Sequence, residues 1–288
     1  MDSNEQPRRR DVLAAIAGAV ACAVECSGAE SLGAAAVLMK VRNRRVLACY
    51  GSEAAKRWLG APGSTIKPLS LLALLDAGKV SEREEFECPG RLTLAGRSLN
   101  CSHPKVPVPM NVSRAIAYSC NCAVAHFAQR FAPGEFEQAL LRDGLASPTG
   151  LLAGLEAAGS VRAESGAEQQ LQALGERGVS VTPLEVLAAY QRMARRIADP
   201  KMRPVVEGME GAVEFGTAQR ARLQRVRVAG KTGSVRMASG FQAAWFAGFA
   251  PSRAPEVAFV VLVQGRSGGS DAAPLAGRLL REYFGARA

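Results

Sequence analysis

The sequence is poor in aromatic residues and in histidine. Aromatic side chains make up 6% of the 288 residues, and the chain has 2 histidines. Single-stranded nucleic acids are bound largely by stacking of their bases on aromatic side chains. Because such side chains are scarce and the arginines are dispersed over many segments, we expect no nucleic acid partner. The sequence also lacks internal repeats and low-complexity linkers, which favours one globular domain of generous size.

Acidic residues are too few to balance the basic ones. The formal net charge is +10, and the first 23 residues hold three acids against three bases, so the excess belongs to the body of the chain. An anionic partner such as the cell-envelope surface suits this charge, although a solvated basic surface that aids solubility fits it equally well.

A long hydrophobic run is missing as well. The uncharged run from Val12 to Val24 follows three arginines and is too short to span a bilayer comfortably. We therefore predict that residues 1–23 are an export signal that resembles the twin-arginine type, or a membrane anchor, and that residues 24–288 form the catalytic domain. Cleavage after Ala21 or Ala23, lipidation of Cys22 and an ordinary N-terminal helix remain open.

Cysteines, in contrast, are present in number. There are 7, and export would permit disulfides, for which Cys88 and Cys101 are the best pair. A zinc site that combines Cys101 with one histidine and two later cysteines lacks the usual two-residue spacers, and we predict no metal. The residues weighed for that site are Cys101, His103, Cys120 and Cys122.

Hydrophobic periodicity places strands at both ends of the chain and helices between them. The predicted strands are residues 34–41, 45–50, 226–232, 243–250 and 257–263, and a closing helix covers about 272–284. Asn43 is expected in the turn of a hairpin, and residues 182–185 form a capping box that starts a helix. This order suits an α+β fold in which one sheet takes strands from both chain ends.

Ser64 and Lys67 are the first candidate site pair. The apolar pattern predicts a buried helix that begins at Ser64 and stops at Gly78. The three-residue interval puts the hydroxyl and the amine one turn apart on the same helix face. The helix N-terminus would stabilise negative charge that develops there. Burial and a neighbouring cation would lower the pKa of Lys67 and allow it to act as a base.

Two further short motifs follow in the chain. The first, Ser-Cys-Asn at residues 119–121, falls in a predicted interruption between two helices, the earlier of which Asn111 or Ser113 can cap. The second, Lys-Thr-Gly-Ser at residues 231–234, ends a β-prone run, so its side chains and backbone can line one wall of a cleft.

Together these motifs resemble those of penicillin-binding protein transpeptidases, within the superfamily of serine D,D-peptidases and β-lactamases. Residues 62–68 read Pro-Gly-Ser-Thr-Ile-Lys-Pro, and Ser-x-Asn and Lys-Thr-Gly follow in the family order. The likeness covers nearly all of residues 32–288. It implies a five-stranded antiparallel sheet with helices on both faces, beside an all-helical subdomain, and no cofactor.

For function, the resemblance implies a D,D-transpeptidase that acts on D-Ala-D-Ala stem peptides of peptidoglycan through an acyl-enzyme on Ser64. β-Lactams would acylate the same hydroxyl. Lys67 would be the base, Ser119 would shuttle a proton to the leaving amine, and the backbone N–H groups of Ser64 and Ser234 would form the oxyanion hole. The residues expected to bind the substrate are Asn121, Lys231, Thr232, Gly233 and Ser234.

Other members of the superfamily give rival interpretations. A free-standing catalytic domain of this size, without the separate domain that most such transpeptidases carry, is also the format of class A and class D β-lactamases. The transpeptidase is favoured over class D enzymes by Asn121, because they have valine there. It is favoured over class A enzymes by Cys120, because they have Ser-Asp-Asn together with a catalytic glutamate, for which no loop motif is evident in this sequence. A D,D-carboxypeptidase and a sensor that is acylated only once are the remaining alternatives.

Overall fold

The five long strands come from both ends of the chain, as the apolar runs predict, and four short strands lie between them. Nine strands lie within residues 33–237, 240 and 242–285, the part of the chain that the computed structural model describes. The predicted signal at residues 1–23 falls outside it. The strands are β1 (Ala35–Lys40), β2 (Val46–Tyr50), β3 (Thr93–Leu94), β4 (Arg97–Ser98), β5 (Ser160–Val161), β6 (Val179–Ser180), β7 (Ala229–Arg236), β8 (Gln242–Ala250) and β9 (Val257–Gly265).

The long strands form one five-stranded sheet in the order β2-β1-β9-β8-β7. Every neighbouring pair is antiparallel, with Val37 opposite Val260 and Lys231 opposite Ala247. Strands β1 and β9, which are far apart in the sequence, therefore pair in the middle of the sheet. This confirms the predicted sheet and leaves β7 as an edge strand, paired on one side by β8.

The limits of β7 differ from the prediction. The β-prone run was expected at residues 226–232, whereas the strand covers Ala229–Arg236. The reason is the partner strand, because β8 pairs with every residue from Ala229 to Arg236. The Lys-Thr-Gly-Ser motif consequently lies in the middle of an edge strand, and not at its end.

Both faces of the sheet are covered. Along β1, Val37 and Met39 contribute to one apolar cluster and Ala36 and Leu38 to the other. Such alternation follows from the two-residue period of a strand. The consecutive residues of Val257–Val263 are all buried, which explains why this strand is apolar without interruption.

The helices lie between β2 and β7, apart from the last one. They are α1 (Ser52–Arg57), α2 (Lys67–Asp76), α3 (Val112–Ala117), α4 (Asn121–Ala128), α5 (Glu135–Arg142), α6 (Gly166–Ala173), α7 (Pro183–Arg195), α8 (Met202–Glu214) and α9 (Ala273–Gly285). Helix α7 packs on one face of the sheet and α9 on the other. No helix among the described residues is long and apolar enough to cross a membrane.

Local sequence signals set several of these boundaries. The side chain of Thr182 accepts a hydrogen bond from the backbone N–H of Glu185, and the Glu185 carboxylate accepts one from the N–H of Thr182, which is the predicted capping box. Asn111 caps α3 through the N–H of Arg114. Asn43 accepts a hydrogen bond from the N–H of Arg45 in the β1–β2 turn. These three predictions are confirmed.

Helices α3 and α8 approach each other closely because Gly208 has no side chain. A Cβ at this position would lie 2.6 Å from the backbone oxygen of Ser113 and 2.7 Å from the Cβ of Ile116. Backbone atoms cannot yield locally, so any side chain would force the helices apart. Helix α3 leads directly into residues 119–121, and this contact therefore helps to position them.

We expect Gly208→Ala to lower the free energy of unfolding by about 1–3 kcal/mol, because overpacking separates well-fitted elements. Urea denaturation measures the change. Gly285→Ala is the matched control, since a Cβ at this helical position would meet nothing within 4 Å and alanine favours helix over glycine. Equal effects of the two substitutions would contradict the close packing of α3 and α8.

Candidate active site

Ser64 lies in a 3-10 turn that runs directly into helix α2. The turn covers Gly63–Ile66 and the α-helix begins at Lys67, so the prediction of a helix that begins at Ser64 is wrong by three residues. Pro68 explains the difference, because proline fits the first turn of an α-helix, where its missing N–H has no partner to lose. In a 3-10 turn, residues three apart lie above one another. Ser64 and Lys67 therefore still share one side.

Short hydrogen bonds fix the shape of this turn. The hydroxyl of Thr65 donates to the backbone oxygen of Pro62 at 2.7 Å, and the buried hydroxyl of Tyr190 donates to the backbone oxygen of Thr65 at 2.7 Å. The N–H of Gly63 donates to the oxygen of Gly175 at 3.1 Å. Ser64, between these anchors, keeps a partly exposed side chain.

Lys67 connects the first motif to the second. Its side chain is fully buried, with 0% exposure. The Nζ atom donates to the backbone oxygen of Ser119 at 2.9 Å, to the Ser119 hydroxyl at 3.2 Å and to Oδ1 of Asn121 at 2.5 Å. An ammonium has three N–H donors, and here each has an acceptor. The structure thus brings three of the predicted site residues into direct contact.

The second motif sits in a break between α3 and α4. Ser119 has a φ of 55°, which is the left-handed region that costs a residue with a side chain roughly 1–2 kcal/mol. Cys120 then caps α4, and its Sγ accepts the N–H of Ala123 at 3.4 Å. Both ends of the Asn121 amide are hydrogen-bonded: Oδ1 accepts from Lys67, and Nδ2 donates to the backbone oxygen of Leu99 at 3.0 Å.

The third motif faces the same region from the edge strand β7. Lys231 is fully buried, and its Nζ donates to the backbone oxygen of Thr232 at 3.0 Å. The hydroxyl of Thr232 donates to the hydroxyl of Thr217 at 2.7 Å. Ser234 is exposed, and its hydroxyl accepts the N–H of Gly268 at 3.0 Å.

Gly233 lets the strand lie directly against the 3-10 turn that contains Ser64. A Cβ at Gly233 would be 2.7 Å from the backbone oxygen of Pro62 and 3.0 Å from Cγ2 of Thr65. From the other side, a Cβ at Gly63 would be 2.7 Å from Cγ2 of Val235. The sequence analysis counted Gly233 among the substrate-binding residues, and the structure adds that its lack of a side chain allows close contact with the protein's own backbone at Pro62.

Burial lowers the pKa of both lysines at this site. Burial lowers the pKa of Lys67 to about 8, while the neighbouring thiols of Cys120 and Cys101 and the carboxylate of Glu176 oppose that shift. Burial, with a further contribution from the charge of Lys67, lowers the pKa of Lys231 well below its usual value. An amine whose pKa lies near neutral pH can exchange a proton with a neighbouring hydroxyl.

Several supporting residues were missed in the sequence analysis. Each acts through a contact that is distant in the sequence, and none belongs to a short motif. The only sequence signal for a supporting role of Tyr190 is its place in a helix that is buried on nearly all sides. The missed residues are Gly175, Tyr190, Thr217 and Gly268.

A cluster of thiols lies directly behind the second motif. All five cysteines of the described residues carry free thiols, including the predicted disulfide partners Cys88 and Cys101, whose sulfurs are 3.7 Å apart. Cys88, Cys101, His103 and Cys120 offer ligand atoms that all lie within 4.8 Å of one another. Residues that can hold a metal are therefore present, although the sequence analysis predicted none.

Comparison with other proteins agrees with this geometry. The family model for the penicillin-binding protein transpeptidase domain matches residues 34–281. Stage V sporulation protein D of Bacillus subtilis is 27% identical over 274 aligned residues, covering 77% of this chain and 41% of that protein. The probable peptidoglycan D,D-transpeptidase PbpC of Pseudomonas aeruginosa is 26% identical over 238 residues, covering 70% of this chain and 41% of that protein. The chain thus spans less than half the length of these relatives.

Solved structures share the fold. The transpeptidase domain of Burkholderia pseudomallei penicillin-binding protein 3 in its apo form has a TM-score of 0.85 at 22% identity, covering 96% of this chain and 94% of that one. A peptidoglycan glycosyltransferase from Burkholderia ambifaria has a TM-score of 0.83 at 22% identity, covering 96% and 95%. Since the family model spans the whole sheet and all three motifs, this chain belongs to the family of penicillin-binding protein transpeptidase domains.

Proposed function

We propose that this domain is a serine D,D-transpeptidase that acts on D-Ala-D-Ala stem peptides of peptidoglycan through an acyl-enzyme on Ser64. The observation that carries the proposal is the contact of the buried Lys67 amine with both Ser119 and Asn121, one turn from Ser64. The substrate class is supported by family membership and by the edge strand that carries the third motif.

The proposed acylation begins with proton transfer. The neutral amine of Lys67 takes the proton of the Ser64 hydroxyl, whose oxygen attacks the carbonyl carbon between the two D-alanines. The N–H groups of Ser64 and Ser234 stabilise the oxyanion of the tetrahedral intermediate. When the C–N bond breaks, the terminal D-Ala leaves as an amine after receiving a proton from Lys67 through the Ser119 hydroxyl.

Substrate binding is assigned to the edge of the sheet. The stem peptide would add to β7 as a further strand, because the outer edge of β7 has backbone groups that β8 does not pair. Thr232 and Ser234 would bind its terminal carboxylate, with Lys231 adding positive potential, and Asn121 would bind a substrate amide. In the second half-reaction an acceptor amine attacks the ester on Ser64, which forms the cross-link and frees the serine.

β-Lactams would use the same first step. Attack by Ser64 opens the lactam ring, so the leaving nitrogen stays attached to the acyl group and continues to occupy the acceptor side. The ester then persists, because the retained nitrogen keeps the acceptor from reaching the acyl carbon. Penicillin binding without rapid release is the expected consequence.

We further propose that the domain works outside the cytoplasm, in the periplasm or on the outer face of the membrane. The arginines followed by a short apolar run at residues 1–23 support delivery by an export signal or anchor. The net charge of +10 suits the anionic envelope surface.

Incubation with benzylpenicillin should give one covalent adduct per chain that persists for hours. Intact-mass spectrometry measures it. Ser64→Ala should give no adduct, whereas Ser98→Ala, at an exposed serine of β4, should behave like the parent. Fast saturable hydrolysis of nitrocefin would contradict the transpeptidase assignment and favour a β-lactamase.

A second assay, with a D-Ala-D-Ala peptide and an added amine, identifies the acceptor. Formation of the hydrolysed acid alone, without the amide product, would indicate a carboxypeptidase.

Acylation should depend on pH in the direction set by Lys67. With a pKa of about 8, the amine is protonated below this pH and cannot accept the Ser64 proton. The neutral fraction is about a tenth at pH 7 and about nine tenths at pH 9. The second-order rate of acylation by a fluorescent penicillin should therefore rise about ten-fold across this interval. Lys67→Arg should react slowly at every pH, and a flat profile for the parent would contradict the role of Lys67.

A further inference from the structure

The thiol cluster behind the second motif has the dimensions of a metal site. The three sulfurs of Cys88, Cys101 and Cys120 form a triangle. Its sides are 3.7 Å (Cys88 to Cys101), 3.7 Å (Cys101 to Cys120) and 3.4 Å (Cys88 to Cys120). The Nε2 atom of His103 lies 3.7 Å from the Cys88 sulfur. All four ligand atoms lie within 4.8 Å of one another.

The three sulfur–sulfur separations and the separation of Cys88 from His103 are close to the edges of a zinc tetrahedron. Zn–S bonds of about 2.3 Å and Zn–N bonds of about 2.0–2.1 Å imply sulfur–sulfur edges of about 3.8 Å and sulfur–nitrogen edges of about 3.6 Å. A zinc ion could therefore bind after small side-chain movements. Three cysteines and one histidine are also a common ligand set of structural zinc sites.

The imidazole of His103 is prepared for this role. Its Nδ1 lies 2.8 Å from the backbone oxygen of Pro104. A carbonyl oxygen can only accept, so Nδ1 carries the proton and Nε2 keeps its lone pair on the side of the sulfurs. Metal-binding histidines are generally oriented in this way by a hydrogen bond from the second ring nitrogen.

The sulfurs have hydrogen-bond donors of their own. The N–H of Gly90 donates to the Cys88 sulfur at 3.4 Å, and the N–H of Ala123 donates to the Cys120 sulfur at 3.4 Å. Such bonds orient thiolate ligands and offset part of their negative charge. Cys120 is fully buried, with 0% exposure, which would shield a bound ion from water on that side.

We propose that Cys88, Cys101, His103 and Cys120 bind one zinc ion in a closed, structural site. The sequence analysis discounted a zinc site because of its unusual spacing, and it weighed Cys122 where the structure places Cys88. Binding releases the protons of the three thiols and leaves four protein ligands, with no position open for catalysis. Cys122 stays outside the set, since its sulfur contacts Cys101 at 3.4 Å and donates to the oxygen of Arg91.

The position of the site gives the metal a role in the fold of the second motif. Cys120 lies between Ser119 and Asn121, the two residues that bind Lys67. Cys101 follows Leu99 and Asn100, whose backbone oxygens accept hydrogen bonds from the Asn121 amide. The zinc ion would tie the loop that contains Cys88 and Cys101 to the start of α4. It would thereby hold the second motif in place from behind.

Oxidation is the competing chemistry for these thiols. Disulfides would join the sulfurs in pairs, with loss of two protons and two electrons per bond to an external oxidant, and would leave His103 without a role. The two outcomes are mutually exclusive for a given cysteine. They are distinguishable by mass and by metal content.

The test begins with the full chain, purified without chelator or metal-affinity resin. Elemental analysis should find about one zinc per chain, and intact mass should match fully reduced cysteines. After removal of zinc, titration of the folded protein with Co²⁺ should saturate at about one equivalent. It should give thiolate charge-transfer absorption and the visible bands of tetrahedral cobalt. Disulfides in the purified chain, or no cobalt spectrum from the reduced protein, would overturn the proposal.

Variants then identify the ligands. His103→Ala and Cys101→Ser should fall below about a tenth of an equivalent of zinc, while Cys122→Ser and the distant Cys49→Ser should keep the parent's content. Circular dichroism reports whether each variant folds, and the cobalt titration of the parent decides the proposal even if one does not. Loss of zinc from Cys122→Ser but not from His103→Ala would show that the proposed ligand set is wrong. These readouts do not depend on transpeptidase activity, so the zinc site and the proposed function can fail separately.

Discussion

The site depends on the burial of one amine. Moving an ammonium out of water carries a penalty of several kcal/mol unless each N–H finds an acceptor. Lys67 finds three, all of them on Ser119 and Asn121. The same burial lowers the pKa of the amine to about 8. The burial that requires these acceptors therefore also gives the amine a pKa suited to the base role proposed for it.

This constraint accounts for the irregular backbone around the lysine. Ser119 adopts a left-handed conformation at the end of α3, and such strain persists only where the surroundings determine it. Here the surroundings are the Lys67 amine on one side and the packing of α3 against Gly208 on the other. On the other side of Lys67, Gly63 and Gly233 allow the 3-10 turn of Gly63–Ile66 to contact β7. The three motifs thus meet through contacts that a larger side chain would prevent.

The sequence predicted what local chemistry determines. The Thr182 capping box, the Asn111 cap and the Asn43 turn involve residues at most three apart, and each was located correctly. The proposed site residues come from three short motifs that resemble those of a known family, and the structure brings Lys67, Ser119 and Asn121 into contact. The start of α2 and the limits of β7 were misplaced, because the first depends on a 3-10 turn before Pro68 and the second on pairing with β8.

Contacts between segments that are distant in the chain could not be predicted from the sequence. No sequence motif around Gly175 or Tyr190 indicates that these residues hydrogen-bond to the 3-10 turn that contains Ser64. The same applies to the thiol cluster, in which Cys88 and Cys120 are 3.4 Å apart in space although they belong to separate segments. The spacing of the cysteines in the sequence argued against a metal site, whereas the fold brings Cys88 next to Cys101 and Cys120.

The most direct test of the central claim is a crystal structure of the domain after reaction with benzylpenicillin. The account predicts continuous density from the Ser64 oxygen to the acyl carbon, with the carbonyl oxygen of the ester about 3 Å from the backbone nitrogens of Ser64 and Ser234. Nζ of Lys67 should remain bound to Ser119 and Asn121. An adduct on another residue, or a Lys67 side chain turned away from both partners, would contradict it.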